Sequence, residues 1–126
     1  MNVVDSCGWL EASVASPLGA VYLDVLRDGA ALVVPSICVH EVFRIVARQR
    51  GEVAAMNHAA RMRSSFVAPL DDGLAVAAAR LGLAHGLPCA DSIIYATARR
   101  HEATLWTHDA HFRDLPGVRF VEAPSD

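Results

Sequence analysis

Short apolar runs alternating with longer amphipathic stretches predict an α/β fold with a mainly parallel central sheet flanked by helices. Three observations carry it. The apolar runs are brief and closed by turn residues. The stretches between them carry helix start and stop signals. With 126 residues, 53% of them hydrophobic, the chain can fill the core of one domain, residues 1–126.

The elements follow in order. Asn2 to Val4 reads as a short buried strand, followed by a turn of small residues. Pro17 to Arg27 reads as a helix, because proline suits the first helical turn and Gly29 follows the end. Leu32-Val33-Val34 is the next strand, closed by Pro35. Ser36 is placed to cap a helix running to about Gln49. Gly51 separates it from a helix from Glu52 to about Met62. Phe66-Val67 is a strand closed by Pro69. Asp71 is placed to cap an alanine-rich helix to about Ala84, ended by Gly86 and Pro88. A helix from about Ala90 to His101 and a strand at Leu105-Trp106 come next. An irregular segment then leads to a last strand, Val118 to Val121.

Composition removes several functions. The net charge of -3 argues against a generally basic nucleic-acid binder, yet five arginines face two acids between His40 and Ser65. There is no lysine, which excludes a Walker A phosphate loop, a receiver domain and a haloacid-type phosphatase. No Gly-x-Ser-x-Gly elbow occurs. The three cysteines fit neither a disulfide framework nor a zinc pattern, and no His-Glu-x-x-His occurs. Cys38 and Cys89 lie in apolar contexts and read as buried thiols, and Trp106 as core. No signal peptide or membrane-length apolar run is visible, so a cytoplasmic protein is expected.

Four isolated carboxylates remain: Asp5, Glu41, Asp91 and Asp109. Asp5 and Asp109 close strand-like runs, at the carboxyl ends where parallel α/β sheets bind ligands. Glu41 interrupts an apolar helical stripe with Ile37 and Ile45, and Asp91 heads an inward stripe with Ile94, Tyr95 and Ala98. Each has a plainer reading. Asp5 and Asp91 suit helix caps, Asp109 an Asx turn, and Glu41 a buried ion pair. Unpaired buried carboxylates are costly, and a shared hard cation would supply the missing charge. If the sheet sets the two strands side by side, all four acids can converge.

The residues resemble PIN-domain nucleases, and among them the VapC toxins of bacterial toxin–antitoxin pairs. The likeness rests on Val3-Val4-Asp5-Ser6-Cys7-Gly8-Trp9-Leu10-Glu11, on Pro88-Cys89-Ala90-Asp91-Ser92-Ile93-Ile94-Tyr95-Ala96-Thr97-Ala98, and on Leu105-Trp106-Thr107-His108-Asp109-Ala110-His111-Phe112. Glu41, after Pro35-Ser36, falls where the family has its second acid.

The resemblance implies a PIN-like α/β/α sandwich. Mg²⁺ or Mn²⁺ would be held by Asp5, Glu41, Asp91 and Asp109, with Thr107 or Ser6 as a supporting hydroxyl. It implies hydrolysis of RNA phosphodiesters, a small VapB-like antitoxin as partner, and a homodimer. Asp5 and Asp91 are the expected direct ligands. Arg44 and Arg48, beside Glu41, are candidate phosphate contacts. The two arginine-bearing helices between Ser36 and Met62 suit a partner groove. His111 departs from the pattern, since many relatives carry a further acid there. A PIN nuclease of RNA processing, or a silent PIN-fold binding module, are the alternative expectations.

Overall fold

The computed structural model describes residues 1–122, so the end of the expected 1–126 unit lies outside the described residues. Five strands and six helices alternate: β1 (Asn2–Val4), α1 (Ser6–Glu11), α2 (Pro17–Leu26), β2 (Val33–Pro35), α3 (Ser36–Arg50), α4 (Glu52–Arg63), β3 (Phe66–Ala68), α5 (Asp72–His85), α6 (Cys89–Arg100), β4 (Thr104–Thr107) and β5 (Val118–Phe120). Short 3-10 turns lie at Gly29–Ala31 and Ala110–Phe112. The architecture is α/β with helices flanking parallel strands, as the alternation predicts.

All strand pairings are parallel. β1 pairs with β4 and β4 with β5, while β2 pairs with β3. A single bridge between Asn2 and Leu32 joins the two ladders, giving the spatial order β3-β2-β1-β4-β5. The expected central sheet is thus two short ladders that barely touch, because strands of three or four residues have few ladder positions to share. The chain leaves β1 toward β2 and β3, then returns across β1 to β4. That reversal makes the crevice beyond β1 and β4 the topological switch point, where open α/β sheets take ligands.

The core explains which residues form these elements. Val3, Val4, Val33, Val34 and Leu105 fill the strands, and Tyr22, Val42, Met62, Ile94, Tyr95 and Phe112 pack on them from the helices and the second 3-10 turn. Asp71 caps α5 as expected, accepting from the Leu74 amide at 2.7 Å, and Gly86 ends that helix in a left-handed conformation with φ 65°.

Several local expectations are corrected. The turn after Asp5 is the helix α1. Its Gly8 is required by packing, since a Cβ there would lie 2.6 Å from the Tyr22 ring and from Val4. Ser36 is the first helical residue of α3 rather than its cap; Pro35 holds the cap position, and no side chain caps the turn. The buried stripe of α3 is Cys38, Val42 and Val46, which turns Ile37, Glu41 and Ile45 to its half-exposed flank. Cys38 is fully buried, but Cys89 is exposed because it opens α6 at its outer edge. Trp106 is half-buried against the core, its indole donating to Asn2 Oδ1 at 2.8 Å. Among the described residues no single helix is long and apolar enough to cross a membrane.

Candidate active site

The parallel pairing of β1 with β4 places Asp5 and Thr107 next to each other at the carboxyl ends of neighbouring strands. The Asp5 amide donates to Trp106 O at 3.0 Å, which fixes this register one residue beyond β1. Asp5 also caps α1, its Oδ1 accepting from the Ser6 amide at 2.7 Å. Its Oδ2 accepts from Thr107 Oγ1 at 2.7 Å. Asp5 thus caps α1 with one carboxylate oxygen while Thr107 holds the other.

Hydroxyls join the acids. Ser6 Oγ donates to Glu41 Oε1 at 2.7 Å, tying α1 to the middle of α3. Thr107 Oγ1 receives the Asp109 amide at 3.0 Å while donating to Asp5. Asp109 in turn caps the Ala110–Phe112 turn, its Oδ1 accepting from the His111 amide at 2.9 Å. Asp91 lies in the first turn of α6, where the helix dipole favours a negative charge. His111 Nδ1 reaches Asp91 Oδ2 at 2.8 Å and Asp109 Oδ1 at 3.2 Å.

The site thus has an inner and an outer half. The inner half is Asp5, Ser6, Glu41 and Thr107, linked by hydrogen bonds to neutral hydroxyls. The outer half is Asp91, Asp109 and His111, whose ligand atoms all lie within 4.8 Å of one another. Asp5 and Glu41 stand outside that tight group, although the charge of Asp91 is felt at Asp5 and that of Glu41 at Asp91.

Burial sets the inner electrostatics. Asp5 is 4% exposed, and loss of solvent pushes its carboxyl from 3.8 to about 6 despite the lowering effect of Thr107 and the Ser6 amide. The Asp91 carboxyl is also raised, first by burial and then by the Asp109 charge, with His111 opposing. His111 is raised by its bond to Asp91 and by the Asp109 charge. A set of close carboxylates whose acidity is suppressed this way gains most from a shared cation. Carboxylate oxygens are the donor type that Mg²⁺ and Mn²⁺ take, so the residues present fit a hard divalent ion.

A third layer escaped the sequence reading. Cys7 Sγ lies 3.5 Å from Asp5 Oδ2 and 3.5 Å from His108 Nδ1, and the Tyr22 hydroxyl lies 2.7 Å from that same nitrogen. Burial and the Asp5 charge push the Cys7 thiol up to about 12, so it serves as a neutral neighbour rather than a nucleophile. The only available sequence signal was Cys7 two positions after Asp5 and His108 one before Asp109. His111, read as a missing acid, is the side chain that bridges Asp91 and Asp109.

Arg44 and Arg48 flank the site rather than enter it. They line a groove of about 470 Å³ with Glu41, Cys89 and Ala90, between α3 and the start of α6. A second groove on α3, lined by Val39, His40, Phe43, Arg44 and Ala47, continues it.

The sequence matches the PIN domain family over residues 3–118. No curated protein matches it significantly in sequence. Among solved structures, a toxin–antitoxin complex from Klebsiella pneumoniae superposes with a TM-score of 0.84 at 18% identity, covering 98% of this chain and 100% of that chain. VapBC2 from Rickettsia felis, bound to a DNA fragment from its promoter, gives 0.71 at 14% identity over 96% and 98%. VapC20 of Mycobacterium tuberculosis, a toxin that cleaves the sarcin–ricin loop, gives 0.70 at 15% identity over 90% and 92%. At these identities the likeness is one of fold.

Proposed function

The chain belongs to the PIN-domain family, and from that premise we propose that it is a metal-dependent endoribonuclease, the toxin of a VapBC-type toxin–antitoxin pair. One observation carries the reading. Asp5, Glu41 and Asp109, linked through Ser6 and Thr107, and Asp91, linked to Asp109 by His111, come from four separate parts of the chain, and these links support the reading.

In this reading Asp5, Asp91, Glu41 and Asp109 hold one or two Mg²⁺ or Mn²⁺ ions. When bound, such an ion lowers the pKa of a coordinated water and offsets charge developing on the phosphate. The protein's own part is orientation. Thr107 fixes Asp5 and the backbone of Asp109 together, and Ser6 holds Glu41 toward the same crevice. Arg44 and Arg48 lie along the groove beside Glu41, where an RNA backbone would lead into the site. The apolar α3 surface next to it, with Val39 and Phe43, suits a small antitoxin that covers the site. Neighbours named as toxin–antitoxin assemblies support such a partner. A homodimer and a cytoplasmic location complete the proposal.

The test is incubation of total RNA with the antitoxin-free chain, with Mg²⁺ or Mn²⁺ against EDTA, beside Asp5→Asn. Discrete fragments that require both metal and Asp5 are expected. Intact RNA from a chain that binds no divalent ion would end this reading and leave a silent PIN-fold module.

A further inference from the structure

The outer half of the site contains a nitrogen where the surrounding donors are oxygens. His111 Nδ1 sits 2.8 Å from Asp91 Oδ2 and 3.2 Å from Asp109 Oδ1. Two ligand atoms in neighbouring positions of an octahedron with metal–ligand bonds of about 2.1 Å are separated by about 3.0 Å. The two observed separations bracket that edge. Two of the three edges of a coordination face, those that meet at His111 Nδ1, are thus already at ligand spacing, and all three ligand atoms lie within 4.8 Å of one another.

The neighbouring histidine sharpens the point. His108 Nδ1 is engaged by the Tyr22 hydroxyl at 2.7 Å and by Cys7 at 3.5 Å, and His108 is not among the three residues of this cluster. Among the described residues the polar side-chain partners of the His111 ring are the two carboxylates. Its side chain is 55% exposed, so the proton it gives up on binding a cation passes directly to water.

We propose that His111 Nδ1 is a direct metal ligand alongside Asp91 and Asp109, and that it makes this centre prefer a first-row transition cation over Mg²⁺. The proposal rests on the metal-dependent reading above and names the residue that selects the ion. Mg²⁺ is a strict oxygen binder that keeps much of its hydration, whereas first-row transition ions gain from an imidazole nitrogen. Among these Mn²⁺ binds most weakly, which makes it the most demanding probe.

The experiment uses the untagged full chain loaded with Mn²⁺. Electron spin-echo modulation reports a nitrogen bound to the ion, and ¹⁵N-histidine labelling changes its frequency. Calorimetry gives the Mn²⁺ and Mg²⁺ affinities separately. The wild type should show histidine-nitrogen modulation. His111→Asp should abolish it while still binding Mn²⁺, and should narrow the Mn²⁺-over-Mg²⁺ ratio by about tenfold, the scale on which a metal site's surroundings tune affinity. His111→Gln serves as the second variant, and melting curves check that both fold. Mn²⁺ bound without nitrogen modulation would overturn the proposal and leave the carboxylate site intact. Failure of the wild type to bind either ion would overturn it together with the reading it rests on.

Discussion

The two halves of the site solve the same problem, close carboxylates, by different physics. In the inner half Asp5 is dry and its partners are the neutral Thr107 hydroxyl and the Ser6 amide. Nothing there cancels its charge, so the proton is held up to about pH 6. In the outer half Asp91 and Asp109 share His111, a side chain that can carry charge itself and stands half in water. The inner half is fixed by tertiary packing, and the outer half is adjustable. A cation entering between them would relieve repulsion in both, but it would relieve more on the inner side, where water contributes little screening.

The largest effects should therefore come from Asp5. Asp5→Asn is expected to reduce RNA cleavage by more than about 100-fold, beyond the loss typical of residues that only support a metal ligand. The same substitution should stabilise the metal-free chain above pH 7. A carboxyl raised from 3.8 to about 6 binds its proton more tightly folded than unfolded. Its contribution is present below about pH 4 and is lost as pH rises through about 6, a difference of roughly 2 to 3 kcal/mol. Urea melts at pH 4 and pH 8, with and without Mn²⁺, check this. A metal-free Asp5→Asn chain no more stable than wild type at pH 8 would show that the inner half is wetter than its burial indicates.

Next is Thr107. Thr107→Val removes a donor to Asp5 and the acceptor of the Asp109 amide without changing the side chain's size. A loss of about 10 to 100-fold in activity is expected, with recovery in Thr107→Ser. Equal loss in both variants would mean that packing, not the hydroxyl, joins the two halves.

The smallest effect lies outside both halves. Replacing Arg44 and Arg48 with alanine should leave the fold intact, since both are exposed. RNA binding should weaken, and its logarithmic salt slope should flatten by about 1 to 1.5 for two lost single-strand phosphate contacts. Filter binding across a salt series measures it; an unchanged slope would remove both arginines from the RNA path.

Much of this was legible in residue order. The alternation of short apolar runs with capped stretches predicted every strand, and Asp71 and Gly86 marked the ends of α5. Helix α1 was not legible, because Ser6-Cys7-Gly8 reads locally as a turn; its glycine is selected by the Tyr22 ring packed against it. The face of α3 was misjudged for a related reason. Glu41 lies one step around from the buried Cys38-Val42-Val46 stripe, and periodicity alone does not say which of two adjacent apolar stripes meets the sheet.

What the sequence determined by itself is the strands, the helices other than α1, and the positions of four acids at their ends or flanks. Those follow from local rules: periodicity, caps and the confinement of charge to places where it has a use. Tertiary structure decided that β1 lies beside β4, so that residues about a hundred positions apart share a hydrogen bond. It also decided that Asp5 is dry while Asp91 and Asp109 are not, and that His111 bridges the latter pair. Strand order and solvent exclusion depend on every element packing at once, and for that reason no local stretch of the chain encodes them.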